Sequence, residues 1–503
     1  MISSQAPARD ASAQDDRELR SFGYEPQLNR SMGLWSSLSI SISCMCITAG
    51  IFTVFGYSLT TVGPAFIWTW PIVAVGQILV ALVLADLAGR IPISGYAFQW
   101  TSRLMNSHYG WFVGWAGLMA FTPGFTGLNL GLAPLISEKL GLEINPTNIM
   151  IVTIVLTLSQ MAINLAGVAI ASRINNIAAF TAELGLSIVL TLVLLLVGFI
   201  THPVQSVSFL STSNVAPGDF TVAFLLSGLL GIWVLTGMEG AADLAEETKL
   251  ARRNVPRALM TSILVSSIIG FFMIVALTIN IGNLDEATGA PVPITHVLEG
   301  ALGGTGALLF TLVAMVALYA GGLANMAASS RLIFSLSRDR MLPASPVLST
   351  VSSSTHSPSG AILVAAGLSI ALVVVGTLIA SQAMTLIVGM ASVGYYVVYA
   401  LTILAAILAT REGRLSGNST FSLGNWATPI RWIALIWTVL VVLELTIPEA
   451  NQQTALMAGV FFVIAAIWYF AVLRGRLNSG DAGVPTAAAE PNAAAVPEPA
   501  LVS

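Results

Sequence analysis

Five acidic residues lie inside long apolar stretches of this 503-residue sequence, and two of them, Glu183 and Glu239, are the candidates for coupling chemistry. Glu183 falls in the stretch 177–200, and Glu239 follows a glycine-rich segment of the stretch 220–245. An ionisable group in hydrocarbon is costly, so one that is kept there usually has a function. We therefore predict both as coupling residues. Glu183 could carry a proton or pair with another polar group, and Glu239 could carry a proton or cap freed backbone amides.

Glycine interrupts two of the apolar stretches at corresponding places, five stretches apart, at 48–51 and at 231–240. In a membrane, an unwound helix survives only where its free amides and carbonyls line a cavity or a site. Free amides at a helix start suit a carboxylate, whereas free carbonyls suit an ammonium group. The pair of breaks predicts a receptor for a small zwitterion near the membrane midplane. The predicted substrate-binding residues are Thr48, Ala49, Gly50, Ile51, Trp233, Thr236 and Gly237.

Plain structural explanations exist for the same residues. Glycine is frequent in membrane helices because small residues let neighbouring helices approach closely. Trp233 could face lipid or pack between helices, or its indole face could cover an aliphatic chain or attract an ammonium group. The matching positions of the two breaks favour the binding interpretation.

Twelve apolar stretches of about 20 residues, the length of a membrane-spanning helix, position these groups. Hydrophobic residues make up 56% of the chain and charged residues only 9%, and the mean hydropathy is +0.85. The predicted spans are 34–61, 64–88, 111–133, 147–167, 177–200, 220–245, 258–282, 305–336, 360–380, 383–409, 430–447 and 454–473. We predict an all-α membrane protein with twelve transmembrane helices, of which helices 1 and 6 are broken.

The basic residues alternate with these spans. Of the 20 Lys and Arg residues, Lys139 alone falls in a gap that follows an odd-numbered span. Because cytoplasmic loops retain Lys and Arg, we predict that both termini are cytoplasmic and that the protein spans the plasma membrane. The polar segment 1–30 and the Ala/Pro-rich segment 475–503 are predicted to be disordered tails on either side of a twelve-helix domain at 31–474.

Other acidic residues are assigned to solvent or to contacts. Asp86 lies near the cytoplasmic end of its span and is predicted to be hydrated. Asp243, Glu246 and Glu247 precede a basic cluster and are predicted to pair with it. Glu444 lies outside the first ten spans, which favours an interfacial or subunit-contact role and so a possible homo-oligomer.

Several kinds of function are unsupported by the sequence. Cys44 and Cys46 are two residues apart, and such positions on a helix do not face each other, so no disulfide is predicted. No metal-binding, nucleophile-elbow or phosphate-binding motif occurs, so we predict no enzyme, no metal and no cofactor. A net charge of −4, dispersed along the chain, does not indicate nucleic-acid binding.

A series of motifs runs in order along nearly the whole chain. They are "LRSFGY" at 19–24 with Asn29-Arg30, "TAGIFTVFG" at 48–56, Gly63-Pro64, "PISGY" at 92–96, Gly114-Trp115, Gly167 with Asn175-Asn176, "GMEGAADLAEETKLARRNVPRAL" at 237–259 and "SSRLIFSLSRDRMLP" at 329–343. In this order they resemble the amino acid/choline permeases, a branch of the amino acid–polyamine–organocation superfamily. The block 237–259 is the most specific.

The resemblance implies two inverted five-helix repeats plus two further helices. It also implies that the backbone at Thr48–Ile51 wraps the amine and carboxylate of an amino acid, and that Trp233 is a gate over it. Some proton-driven relatives have a lysine near the position of Glu183. Because this chain has a glutamate there, the sequence does not support proton coupling through a lysine. Sodium-driven relatives place hydroxyl ligands near Ala320 and Gly321, and neither residue supplies an oxygen.

The expected function is therefore a secondary transporter for amino acids or related amines such as γ-aminobutyrate, proton-coupled or an exchanger. The alternatives are a polyamine- or choline-type organocation permease and a non-transporting membrane sensor. A sensor should add a sizeable soluble domain. A major-facilitator fold would place its repeats six spans apart, and a channel should show a reiterated pore motif.

Overall fold

The computed structural model describes residues 6–290, 292–379, 383–415 and 419–485, and within these ranges the chain forms helices and no strand. The first α-helices are α1 (Ala6–Ser21), α2 (Leu34–Met45), α3 (Ile47–Val62), α4 (Thr69–Arg90), α5 (Tyr96–Leu104), α6 (Ser107–Lys139), α7 (Pro146–Leu165), α8 (Val168–Ala178), α9 (Ser187–Leu196), α10 (Phe220–Ser227) and α11 (Leu229–Val234). The remaining ones are α12 (Gly240–Asp243), α13 (Ala251–Ile279), α14 (Leu284–Gly289), α15 (Pro293–Arg338), α16 (Ser345–Leu348), α17 (Ser359–Ile379), α18 (Ala383–Arg411), α19 (Ala427–Thr446), α20 (Gln452–Trp468) and α21 (Arg474–Asn478).

Shorter helical segments of other pitch join these helices. The 3₁₀ segments are Pro64–Trp68, Val207–Ser211, Ala245–Glu247, Gly424–Trp426 and Glu449–Asn451. The π-helical segments are Ala179–Leu186, Val197–Thr201 and Tyr469–Leu473. The first π-helical segment contains Glu183, and such wide turns are frequent at functional sites.

Ten helices in the described part of the chain are long and apolar enough to cross a membrane. The helices at the third and sixth predicted spans are not among them. α6 has 33 residues but carries many glycines and two prolines, whereas the apolar helix at Phe220–Val234 is short because the chain stops being helical after Val234. The structure thus agrees with a helical membrane protein, and twelve crossings remain a prediction.

The first and sixth spans line the centre of the bundle. The most apolar window of the segment Leu34–Val62 is 89% buried, compared with 17% for Glu449–Asn478. α6 packs against α15 and α18, and α15 also packs against both α2 and α3. Exposed leucines, isoleucines and valines on α7, α9, α19 and α20 form the outer surface, which suits contact with lipid.

Residues before the first span form a helix and contact the bundle. α1 occupies Ala6–Ser21, and the side chains of Tyr24 and Leu28 are buried against the bundle. Met32 pairs with Thr248 in a single parallel bridge, which joins this segment to the chain after α12. A few apolar side chains and backbone bonds thus connect residues 15–32 to the bundle, and the disordered tail at 1–30 stays a prediction.

The other predicted tail also begins with a helix. α21 lies at Arg474–Asn478, and the Gly483 amide donates to the Asp339 carbonyl at 2.9 Å. Residues 486–503 of that predicted tail lie outside the described residues. The two cysteines, Cys44 and Cys46, are free and buried.

Candidate substrate site

The first span is interrupted at Cys46, which has a left-handed backbone (φ 49°) between α2 and α3. Sequence analysis placed the break at Thr48–Ile51, but these residues form the first turn of α3. The first amides of a helix have no carbonyl partner within it. Here the Gly50 amide donates to the Cys46 carbonyl at 2.7 Å and the Thr48 amide to Glu183 at 2.8 Å, so the segment is a helix start with amides that already have acceptors rather than an unwound stretch.

The sixth span is interrupted between α11 and α12. Residues 235–239 are not helical, and Gly237 has φ +92°. A Cβ at Gly237 would lie 2.6 Å from the Cys44 carbonyl oxygen, so only glycine fits there. The predicted residues Thr236 and Gly237 lie in this segment, whereas Trp233 lies in the last turn of α11.

The two interrupted spans touch each other. A Cβ at Gly50 would lie 2.7 Å from Val234 Cγ2, so α3 and α11 approach as closely as a glycine allows. On the other side of the breaks, Ser41 Oγ of α2 donates to the Met238 carbonyl at 2.7 Å. The structure therefore joins both halves of the first span to the sixth.

Glu183 already occupies part of the first helix start. Its Oε1 accepts a hydrogen bond from the Thr48 amide at 2.8 Å, and Thr48 Oγ1 lies 2.8 Å from Ser187 Oγ. Its Oε2 is buried without a hydrogen-bond partner among the described residues. A carboxylate at a helix start is stabilised by the amides and the helix dipole. The start of α3 thus already binds a carboxylate, that of the protein's own Glu183.

Side chains from other helices complete the surroundings of the breaks. Gln77 Nε2 of α4 donates to the Leu235 carbonyl at 2.9 Å. Asn325 Nδ2 of α15 donates to the Cys44 carbonyl at 3.0 Å, and Tyr395 Oη lies 3.2 Å from Asn325 Oδ1. Sequence reasoning missed these residues; the one signal for Gln77 and Asn325 is an amide side chain within an apolar stretch.

A small cavity of about 10 Å³ lies between the two breaks. It is lined by Cys44, Met45, Gly124, Leu128, Trp233, Thr236, Asn325 and Tyr395. This volume suits about one water molecule. Of the predicted residues, Trp233 and Thr236 line it, whereas Thr48, Ala49, Gly50, Ile51 and Gly237 do not.

A much larger vestibule of about 730 Å³ lies beyond the cavity. Its lining includes Thr53, Gly131, Pro134, Asn145 and Met384, so it opens at the end of the bundle that carries Lys139.

Trp233 lines the cavity and is not part of the vestibule lining. Along α6, Gly124 and Leu128 line the cavity and Gly131 lines the vestibule, about 4.5 Å beyond Leu128 at 1.5 Å per residue. Next to Leu128, a Cβ at Gly127 would lie 3.6 Å from the Trp233 ring. The Trp233 side chain is 6% exposed, which rules out a lipid-facing position.

Glu239 lies on the side of the two breaks that faces away from the vestibule. It is fully buried, and its two carboxylate oxygens lie 3.0 and 2.8 Å from Tyr399 Oη of α18, which donates to them. The structure therefore pairs Glu239 with a neutral hydroxyl and not with a basic residue.

Buried ion pairs close the opposite end of the bundle, which we call the arginine-rich end and define by Arg90, Arg331, Arg338 and Arg431. Glu247 pairs with Arg331 at 2.8 Å, and Glu246 pairs with Arg338 at 3.0 Å. The predicted pairing of these acids with the basic cluster 249–257 is therefore wrong, because both acids point inward to α15.

The prediction that Asp86 is hydrated is also wrong. It is 1% exposed and pairs with Arg431 at 2.9 Å and with Arg90 at 3.0 Å, so it is not hydrated. Glu444 on α19 is half-buried, and its Oε2 has no hydrogen-bond partner among the described residues.

The segment before α2 also covers the arginine-rich end. Tyr24 Oη donates to the Asp339 carboxylate at 2.8 Å, and the Arg338 guanidinium lies 3.8 Å from the centre of the Tyr24 ring. Gln99 Nε2 donates to Asp339 at 2.9 Å. Burial raises the pKa of Asp339 to about 6.

Comparisons with known proteins agree with this architecture. A family model described as amino acid permease matches residues 32–479. An "Amino-acid permease BAT1 homolog" of Oryza sativa subsp. japonica is 26% identical, covering 93% of this chain and 97% of the relative. "Amino-acid permease BAT1" of Arabidopsis thaliana is 24% identical over 90% of this chain and 93% of its own. "Amino-acid permease 2" of Neurospora crassa is 25% identical over 92% and 88%.

The match runs from the end of the ordered N-terminal segment almost to the last described residue. It includes both interrupted spans and the ion-paired end, as the order of the sequence motifs predicted. The chain belongs to the amino acid permease family of the amino acid–polyamine–organocation superfamily.

Proposed function

We propose that this permease is a secondary active transporter that carries amino acids or related amines such as γ-aminobutyrate by alternating access. The observation that carries the proposal is the contact of two interrupted helices at Gly50 and Val234. This contact lies between a vestibule of about 730 Å³ on one side and a closed, ion-paired end on the other. Such a site, open to one side and sealed from the other, is what alternating access requires.

In this proposal, the first turn of α3, Thr48–Ile51, binds the substrate carboxylate through its amides. Glu183 supports this role because a carboxylate already accepts the Thr48 amide there. The carbonyls of the sixth-span break, with Thr236 and Gly237, face the amine. Trp233 closes over the substrate from the vestibule side, and its ring face attracts an ammonium group or covers an aliphatic chain.

The cavity must expand to admit a substrate, because about 10 Å³ suits one water. We propose that Trp233 moves away from Gly127 as the site opens to the vestibule. The breaks at Cys46 and 235–239 are natural hinges, since the halves of each span are not held to each other by helical hydrogen bonds there.

The coupling ion is proposed to be the proton, in a symporter or an exchanger. Glu239 and Glu183 are buried without an ion pair to any described residue, as a proton carrier in a membrane requires. Sodium is disfavoured because Gly321, which faces Cys46 from α15, supplies no hydroxyl ligand, and the nearby Ala317 carbonyl already accepts the Cys46 thiol at 3.2 Å.

The finer topology belongs to the same proposal. α6 is taken as the third span, and α10–α12 with the break as the sixth, which gives twelve crossings in two inverted five-helix repeats plus two helices. The arginine-rich end then faces the cytoplasm with both termini, in the plasma membrane, and the vestibule opens outward.

One observation favours a second candidate, an organocation permease. Because the Glu183 carboxylate occupies one amide of α3, a substrate without a carboxyl group could be bound by Trp233 and the carbonyls of the sixth-span break alone. A polyamine or choline would then be the cargo.

Uptake by the purified protein in liposomes tests the proposal and separates the two candidates. We expect accumulation of at least one α-amino acid or γ-aminobutyrate when the outside is made acidic, and its loss when a protonophore collapses the gradient. Accumulation of choline or putrescine but of no amino acid would support the second candidate, and uptake of neither would contradict a transporter.

A further inference from the structure

A second carboxyl group lies one helical turn after Glu239. Asp243, the last residue of α12, is fully buried, and neither of its carboxylate oxygens has a hydrogen-bond partner among the described residues. Its amide bonds the Glu239 carbonyl at 3.1 Å, so the two residues occupy one turn. Side chains four apart on a helical turn lie on the same face, about 5–6 Å apart at Cβ.

Groups from each neighbouring helix face this pair. Cys44 comes from α2, Tyr96 from α5, and Tyr395 and Tyr399 from α18; all are near enough to interact electrostatically with Glu239. Each of them is fully or almost fully buried and neutral when protonated. We call these four residues with Glu239 and Asp243 the inner acidic cluster.

The nearest basic residues of the arginine-rich end are already paired with other acids. Arg331 binds Glu247 at 2.8 Å, and Arg338 binds Glu246 with two contacts of 3.0 Å. Asp243 forms no ion pair with any residue in the described ranges. Neither of these two arginines is therefore left over to neutralise it.

Electrostatics decides what Asp243 must bind. A buried carboxylate without a cation or a hydrogen-bond donor is an uncompensated charge, and a second carboxylate nearby makes it more costly. Glu239 accepts hydrogen bonds from Tyr399, whereas Asp243 accepts none from the described residues. Protonation of Asp243 therefore removes a larger electrostatic cost than protonation of Glu239.

We propose that Asp243 is a proton-binding site of the transport cycle. It holds a proton while the arginine-rich end is closed and releases it to water when that end opens. Release breaks the Asp243 O–H bond and gives the proton to a water molecule, which leaves the carboxylate hydrated. Because Glu246 and Glu247 follow Asp243 by three and four residues, separating them from Arg338 and Arg331 would bring water to it.

This inference rests on the proposed transport function, and one experiment separates the two. Asp243→Asn mimics the protonated side chain, Asp243→Glu keeps the ionisable group, and Asp285→Asn alters an exposed residue at the opposite end as a matched control. In proteoliposomes, proton influx is recorded with an internal pH dye while substrate is added, and counterflow of labelled substrate is measured without a gradient.

We expect Asp243→Asn to lose substrate-driven proton influx by at least tenfold while counterflow remains measurable. Asp243→Glu and Asp285→Asn should retain the influx. Proton influx by Asp243→Asn in the wild-type ratio to substrate would overturn the proposal. Absence of any counterflow by the wild-type protein would instead refute the transport function.

Infrared difference spectroscopy gives a second readout that needs no transport. Titration of the purified protein should show a C=O stretching band of a protonated carboxyl group that Asp243→Asn lacks and that Asp243→Glu shifts. A band unchanged in both variants would overturn the proposal even if Asp243→Asn proved too unstable to reconstitute.

Discussion

The contact between Gly50 and Val234 can be tested by a double-mutant cycle. In Gly50→Ala, the new Cβ would lie 2.7 Å from Val234 Cγ2, against about 3.5–4.0 Å for an unstrained carbon contact. Valine in a helix has one strongly preferred rotamer, so it cannot turn away. Overpacking of this kind costs about 1–3 kcal/mol.

Val234→Ala removes two methyl groups from a fully buried side chain, which costs about 1.6 kcal/mol in transfer free energy alone, at about 0.8 kcal/mol for each carbon. In the double variant, the methyl group introduced at position 50 takes the space that the Val234 side chain vacates. The double variant should therefore be more stable than the sum of the single changes predicts, by about 1–3 kcal/mol.

Denaturant unfolding in mixed micelles gives the four free energies, and uptake is measured in parallel. Gly459→Ala is the control, since a Cβ there meets nothing within 4 Å; it should leave stability equal or up to about 1 kcal/mol higher. Additivity of the two single changes within about 0.5 kcal/mol would show that the interrupted helices do not touch, and the reasoning would be refuted.

Three further outcomes are expected. Glu239→Gln should remove the dependence of uptake on external pH, and Tyr399→Phe should weaken it, because a hydrogen bond to a charged group is worth about 1.5–3 kcal/mol; an unchanged pH profile in Glu239→Gln would make Glu239 structural. Trp233→Ala should raise KM at least tenfold, with Trp233→Phe in between, whereas equal KM values would exclude a gate. The N-terminal segment should dock most firmly at low pH. In the docked state the pKa of Asp339 is raised to about 6, so this state binds more protons than an undocked state in which Asp339 has its ordinary pKa. Docking therefore weakens as pH rises from about 4 through 6. Proteolysis near Tyr24 should speed up over that range, and Asp339→Asn should remove the pH dependence; the same acceleration in that variant would count against this origin.

The sequence predicts breaks in the first and sixth spans, but in the first span the residue at which the structure departs from helical geometry is not among the predicted ones. The glycine at position 50 favoured a break at Thr48–Ile51. In the structure, the residue with a left-handed backbone is Cys46, and Gly50 instead allows the close approach to Val234. A glycine that relieves the backbone and one that makes room for a neighbour look alike in a sequence. Only the position of the neighbouring helix distinguishes them, as it does for Gly237, which does both.

Partners that are far apart in the sequence were also out of reach. Nearness along the chain favoured pairing of Glu246 and Glu247 with residues 249–257, whereas the fold supplies Arg331 and Arg338 from a helix more than 80 residues later. Polar composition likewise predicted disorder before α2, although a single side chain, Tyr24, makes several of the contacts that hold that segment. Composition averages over such specific contacts.

The central claim is that main-chain groups at two helix breaks bind both charged ends of a small zwitterion. It is tested most directly by thermal unfolding of the purified protein with an amino acid that it transports and with the matching amine that lacks the carboxyl group. A ligand present at about 100 times its Kd stabilises the folded state by about 2.7 kcal/mol. We predict stabilisation by the amino acid and little or none by the amine at the same concentration. Equal stabilisation by both would contradict the claim.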